Sequence, residues 1–272
     1  MAASYHTLSN SFPTRSHPFT SEVDQHLSRL SSSQSASTSS LHDLQDLYDS
    51  VDKMLQLPLI QQALGKGQDR KLVDELLNGS LRILEIFSIP QNALVQSKES
   101  VQELQSVLRR RRGDETELTS EIKKYWASRN AAKKAIHKAL KGMETKCSSQ
   151  FNEEHVSLLK EVETITFAAF ESMLLVISGP QTPSKLSSLS LVSKIIRPKR
   201  IACKEDIKEM NEFEKVDAAL SAHRKIKSEN IFVLQDQLKE LECCIQDLEE
   251  GLESLSRRLI KARVSLLNIL NN

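Results

Sequence analysis

Four consecutive arginines, Arg109 to Arg112, form the densest charge cluster in the sequence. Such a run can hold phosphate, meet a lipid headgroup or be read as a nuclear import signal. It can also be the cationic last turn of a helix, where the dipole favours positive charge, and this structural reading is preferred. Lys199 and Arg200 make a second, smaller basic site. Neither cluster is interleaved with the aromatic residues that single-strand binding uses for stacking, so there is no strong case for nucleic acid. Arg112-Gly113-Asp114 spells an adhesion tripeptide, which three residues at a helix junction are too short to make specific. Gly65-Lys66-Gly67 lacks the GxxxxGK[ST] spacing of a phosphate loop and reads as a turn.

Groups suited to metal or acid–base chemistry are present but scattered. His6, His17, His26, His42, His137, His155 and His223 form no HExxH and no ligand pair on one helical face. Glu153, Glu154, Glu161 and Glu163 cluster in sequence without the repeated ExxH of a di-iron bundle. Cys147, Cys203, Cys243 and Cys244 contain no CxxC and read as reduced thiols. No catalytic residue, cofactor site or metal site can be named, and the chain is expected not to be an enzyme. Asn78-Gly79-Ser80 is formally a glycosylation sequon, but it interrupts an apolar helical stripe, where Gly79 would permit close packing. The serines between 28 and 40 could accept phosphate and then pair with a cluster such as Arg109 to Arg112.

The elements that would position these groups are helices. Among 272 residues there are 7 Gly, 7 Pro and 4% aromatics, so turns are scarce and helix formers plentiful. Leu41, Leu44, Tyr48, Val51 and Leu55 step by three and four until a break near Pro58. Leu72, Leu76, Ile83, Ile86 and Phe87 follow, and Pro90 is expected to begin a new helix carrying Leu94, Val101, Leu104 and Leu108. The run 114–147 is helical and basic on its outer side, with Trp126 as expected core anchor. Residues 152–177 leave only a narrow polar face before Gly179 and Pro180 stop them. An internal linker near 179–188 is followed by a short apolar segment, Leu189 to Ile196, and a helix resumes near Glu205.

The last segment, about 229–270, has the strongest pattern. Ile231, Leu234, Leu238, Leu241, Ile245, Leu248, Leu252, Leu255, Leu259, Ala262, Leu266 and Ile269 alternate three and four, a coiled-coil seam about 60 Å long. Leu241, Leu248 and Leu255 are the positions to probe as a partner surface or core. The flanking positions hold Gln235, Gln237, Cys244, Gly251, Ser256 and Ser265 instead of the opposed charges of a two-stranded zipper. Packing within the chain is therefore favoured over a homodimer, which stays open.

Residues 1–40 read as a Ser-rich, largely disordered arm with one short helix, and 41–272 as a helical bundle. Lys plus Arg number 37 against 36 Asp plus Glu, so no net field draws the chain to nucleic acid or anionic lipid. Ile165 to Ile177 is too short, and interrupted by Glu171, to span a membrane, which points to the cytoplasm or nucleus. The Ser-rich, acid-poor start leaves an organellar transit peptide as a second reading.

Several segments resemble a known family. SNSFPTRSHP (9–18), NGSLRILEIF (78–87), QSVLRRRRGD (105–114), YWASRNAAKKAIHKAL (125–140) and LEEGLESLSRRLIKARVSLLNIL (248–270) are similar, in order and spacing, to plant-specific proteins related to BYPASS. The most distinctive stretch is Arg257 to Lys261 with Arg263 to Asn268, because heptad geometry does not require its polar residues. The start departs from the family pattern at Thr7, Leu8 and Phe12. The resemblance implies a role in root and shoot development, with the founding type restraining a mobile root-derived signal, and it carries no catalytic residue across. It also implies that the Ser-rich arm is retained, against a transit peptide.

The sequence therefore predicts an all-α, elongated antiparallel bundle acting as a regulator or scaffold through an unknown protein partner. Two alternatives stand beside it: an enzyme or carrier holding a small apolar metabolite in the bundle interior, and membrane or nucleic-acid attachment through the basic clusters.

Overall fold

The computed structural model describes residues 18–32, 37–65, 70–110, 115–142, 154–179, 210–222 and 228–271. Among these there are eight helices and no strand: α1 (Pro18–Ser32), α2 (Ser37–Leu55), α3 (Pro58–Gly65), α4 (Arg70–Arg109), α5 (Glu115–Gly142), α6 (Glu154–Ser178), α7 (Glu212–Ala222) and α8 (Ser228–Asn271). The chain is all-α, as its composition requires. Lys199 and Arg200, the 180–188 part of the expected linker, residues 1–17 and the segment 189–196 lie outside the described residues.

The 44 residues of α8 span about 66 Å at 1.5 Å per residue. Leu234, Leu238, Leu241, Ile245, Leu248, Leu252 and Leu255 are all at 1% exposure or less. The chain's own helices fill the seam: α2 and α4 pack along it, α7 lies against it and α3 touches it. The small flanking residues explain how. A side chain at Gly251 would meet Leu41 of α2 at 3.1 Å, and the Gln45 amide donates to the Gly251 carbonyl at 3.2 Å.

The polar residues of 257–265 have a matching account. Arg258 pairs with Asp49 at 2.9 Å, Lys261 with Asp52 at 2.9 Å, and Ser265 donates to Asp52 at 3.1 Å. Arg263 donates to the Leu77 carbonyl and, at 2.8 Å, to the Ser80 hydroxyl. The apolar seam thus sets which face of α8 turns inward, and this polar clasp fixes its register on α2 and α4.

Two expectations need correction. Pro90 does not start a helix; α4 runs unbroken through it for 40 residues, with Pro90 buried. Interior proline costs about 3 kcal/mol, which burial on both sides outweighs: Ile83, Phe87, Ala93 and Leu94 all sit in the core. Trp126 is only partly buried; its neighbour Tyr125, at 2% exposure, is the core residue. Within the 1–40 segment, the helix is α1, whose Val23 and Leu27 are buried in the common core.

The other ends follow local chemistry. Asn211 caps α7 by accepting from the Glu214 backbone N–H at 2.9 Å. Gly179, at φ 76°, closes α6 with its N–H 3.0 Å from the Leu175 carbonyl.

Gly79 is a packing glycine. A methyl group there would lie 2.4 Å from the carboxylate of Glu163 on α6, a side chain only 8% exposed. Replacing an interior helical glycine with alanine ordinarily gains about 1 kcal/mol. Here the Glu163 carboxylate must shift to admit the methyl group, so Gly79→Ala is expected to lose much of that gain, whereas the same change in a Glu163→Ala background stabilises the protein by about 1 kcal/mol in urea unfolding. Equal effects in both backgrounds would show that Glu163 does not hold that position.

Candidate functional site

Leu241, Leu248 and Leu255 are each fully buried, so the structure places these probes in the chain's own core. Arg109 donates to its neighbour Gln105 at 2.8 Å, and Arg110 turns back to the Ser106 carbonyl and approaches Glu117 at 3.8 Å. These two basic residues make local contacts at the end of α4. Arg111 and Arg112 lie outside the described residues, as do Lys199 and Arg200.

The structure instead builds a buried polar centre that the sequence did not single out. Arg129 of α5 is the largest fully buried side chain among the described residues. Its Nε lies 3.2 Å from both oxygens of Asp217 on α7, and its Nη1 donates to the Ile177 carbonyl in the last turn of α6. A cation suits that helix end, where carbonyl dipoles converge. The guanidinium also sits 4.8 Å from the ring centre of Phe213, a cation–π contact. Asp217 receives two more bonds, from Tyr125 Oη at 2.9 Å and Lys133 Nζ at 3.0 Å. Arg129 Nη2 finds no partner among the described residues and faces Gly179, where a side chain would lie 3.7 Å away.

This centre joins α5, α6 and α7 and gathers the two ends of the 180–209 stretch, since Asn211 Nδ2 also donates to the Val176 carbonyl at 3.3 Å. Its chemistry is that of a fastening: the one carboxylate is saturated by three donors. Removing a single partner of a buried pair costs about 3–5 kcal/mol, because the remaining charge is left unpaired.

A second polar cluster lies between α2, α4, α6 and α8. Tyr48 and Thr166 share a hydrogen bond at 2.9 Å, and Lys160 holds Glu163 at 2.7 Å. Tyr48, Ser80, Glu163 and Arg263 face a cavity of about 40 Å³ walled by aliphatic side chains. That is room for water-sized occupants, far below the several hundred Å³ of a metabolite pocket. Among the described residues, no three His, Cys, Asp or Glu side chains are grouped to hold a metal. No described helix is long and apolar enough to cross a membrane.

The outward face of α8 carries an exposed apolar stripe. Ile260, Val264 and Leu267, at i, i+4 and i+7, are 49%, 48% and 38% exposed on the side away from the seam. Further along the same helix Cys243 is exposed, while burial beside Glu212 pushes the neighbouring Cys244 thiol up to about 12.

A family model described as Protein BPS1 matches residues 40–269, which takes in every helix from α3 to α7 and nearly all of α2 and α8. The chain belongs to the BPS1 family. No curated protein and no solved structure matches the chain. The BPS1 match ends within the last turn of α8 and so includes the seam, the clasp, Arg129, Asp217 and the outward apolar stripe.

Burial, and for Tyr125 also the Asp217 charge, raises both core phenols above the ordinary value; for Tyr48 burial outweighs the Thr166 bond. A phenol whose folded value is raised favours folding most at pH below its unfolded value, about 10, and loses that contribution as pH climbs above it. Stability is therefore expected to fall steeply above pH 10. In a titration read at the phenolate absorbance, no more than one of the three tyrosines should ionise while the helical circular dichroism is intact. Ionisation of all three in the folded protein would contradict the burial.

Proposed function

We propose that this BPS1-family chain is a non-enzymatic helical regulator or scaffold in plant root and shoot development. It works by presenting the outward face of α8 to a helix of a protein partner. The developmental setting comes from the BYPASS resemblance together with the family match. The observation that carries the binding mode is the exposed stripe of Ile260, Val264 and Leu267.

A helix groove or a second helix recognises apolar anchors at i, i+4 and i+7, with polar neighbours selecting the partner. On α8 the inward seam is already occupied, and this second stripe is an apolar surface left for such recognition, in addition to Phe232 and Val233 near the start of the helix. Arg257 and Lys261, whose side chains are 74% and 64% exposed, flank it. The saturated polar centre at Arg129 and the small cavity at Glu163 support a structural body in place of a reaction chamber.

The test is quantitative affinity purification from plant tissue with the wild type, with Ile260→Asp/Val264→Asp, and with Leu59→Asp, an exposed apolar residue on α3. All three are expected to melt alike. At least one protein retained by the wild type and by Leu59→Asp should fall by about tenfold or more with the stripe variant, the loss expected when a central anchor is removed. Identical retained sets for the wild type and the stripe variant would refute this mode of action.

A further inference from the structure

Two charged stripes, one on α5 and one on α8, form no ion pair among the described residues. On α5, Lys123, Lys134, Lys138 and Lys141 follow one another along the exposed face, with Ala127, Asn130 and Ala131 between them. None of the four lysines forms an ion pair with a described residue, whereas their neighbours Lys124 and Lys133 are held by Glu121 and Asp217. On α8, Asp236, Glu240, Asp247 and Glu250 recur at a 4-7-3 spacing, with exposed Cys243 completing the heptad rhythm. Glu250 accepts only from Gln246 of its own helix, at 3.0 Å, and none of the four acids is in an ion pair with a described residue.

The geometry of the stripes matches. The basic one runs about 27 Å and the acidic one about 21 Å at helical rise. Both keep the three-and-four period that holds residues on one face. Small residues between the charges, Ala127 and Ala131 on one side and Cys243 on the other, allow close approach of two helices. Within one chain the stripes do not meet: α4 packs against both α5 and α8, and each stripe faces outward. A net charge of +1 thus coexists with a basic stripe on α5 and an acidic stripe on α8.

We infer that the basic face of α5 docks on the acidic face of α8 in a second copy of this chain. The contact is heterologous, since the two surfaces differ, so it can propagate from copy to copy or close into a ring. Exposed ion pairs are individually weak, and a stripe of them gives orientation and salt sensitivity more than tight binding. Association should therefore be reversible and confined to low ionic strength. It engages the part of α8 that precedes the Ile260 stripe, so it does not depend on the partner-binding role assigned to that stripe.

The test is sedimentation velocity of the full chain at about 50 mM and about 500 mM salt, where the screening length shrinks from roughly 14 Å to roughly 4 Å. The wild type should show a mass that rises with protein concentration at low salt and returns to a single copy at high salt. Lys134→Glu/Lys138→Glu and, separately, Asp247→Lys/Glu250→Lys should each weaken association at least tenfold. The protein in which all four lysines of the α5 stripe are replaced by glutamate and all four acids of the α8 stripe by lysine has both faces inverted and should associate again. Zero-length carbodiimide coupling of mixed light and heavy isotope-labelled wild type should join the α5 lysines to the α8 acids between copies. A wild type that stays single at low salt, or a fully inverted variant that fails to recover while folded, would overturn the inference. So would lysine-dependent capture of anionic vesicles or RNA by a wild type that stays a single copy.

Discussion

A 44-residue helix with an apolar seam along its whole length is not stable in water by itself, and the rest of the fold is the answer to that constraint. Each fully buried leucine contributes about 1.5–3 kcal/mol relative to exposure, and the seam has a dozen apolar positions. Satisfying them requires surfaces as long as α8, which is why α4 is 40 residues and why Pro90 is accommodated within it. The small residues beside the seam, Gly251 above all, let α2 approach more closely than a charged zipper position would allow. The clasp of Arg258, Lys261, Arg263 and Ser265 then selects one register among the several that a repeating seam would tolerate.

The polar centre at Arg129 answers a different need. The helices α5, α6 and α7 meet α8 less extensively, and the chain leaves α6 and re-enters at α7 across a stretch of thirty residues. A buried guanidinium that binds a helix-terminal carbonyl, a carboxylate and an aromatic ring at once specifies one relative placement of three elements. Buried ion pairs add little net stability compared with apolar packing, but breaking one is costly, and that asymmetry makes Arg129 a device for specificity of arrangement.

Most of the fold was legible in the sequence because helix period, proline and glycine act locally. The seam, the stop at Gly179 and the packing role of Gly79 were all read from spacing. What spacing could not show was pairing across distance: Arg129 and Asp217 are 88 positions apart, and an arginine on a lysine-rich helix reads as solvated. Pro90 misled for the related reason that its local cost is outweighed by core contacts from remote segments. The Arg109 cluster drew attention by density, yet the contacts of Arg109 and Arg110 are with their own neighbours. The outward stripe of Ile260, Val264 and Leu267 was present in the sequence but masked by the stronger seam on the opposite face. Once α2 and α4 are seen to occupy the seam, the weaker stripe becomes the informative one.

The claim on which this account turns is that the α8 seam is buried by the same chain and not by a second copy. Native-state hydrogen exchange measured over a wide range of protein concentration, at high salt, tests it directly. Backbone amides from Leu234 to Leu266 should be among the slowest in the protein, with protection that does not change on dilution. Protection of that segment which disappears as the protein is diluted would mean that the seam is filled between chains, and the account would be wrong.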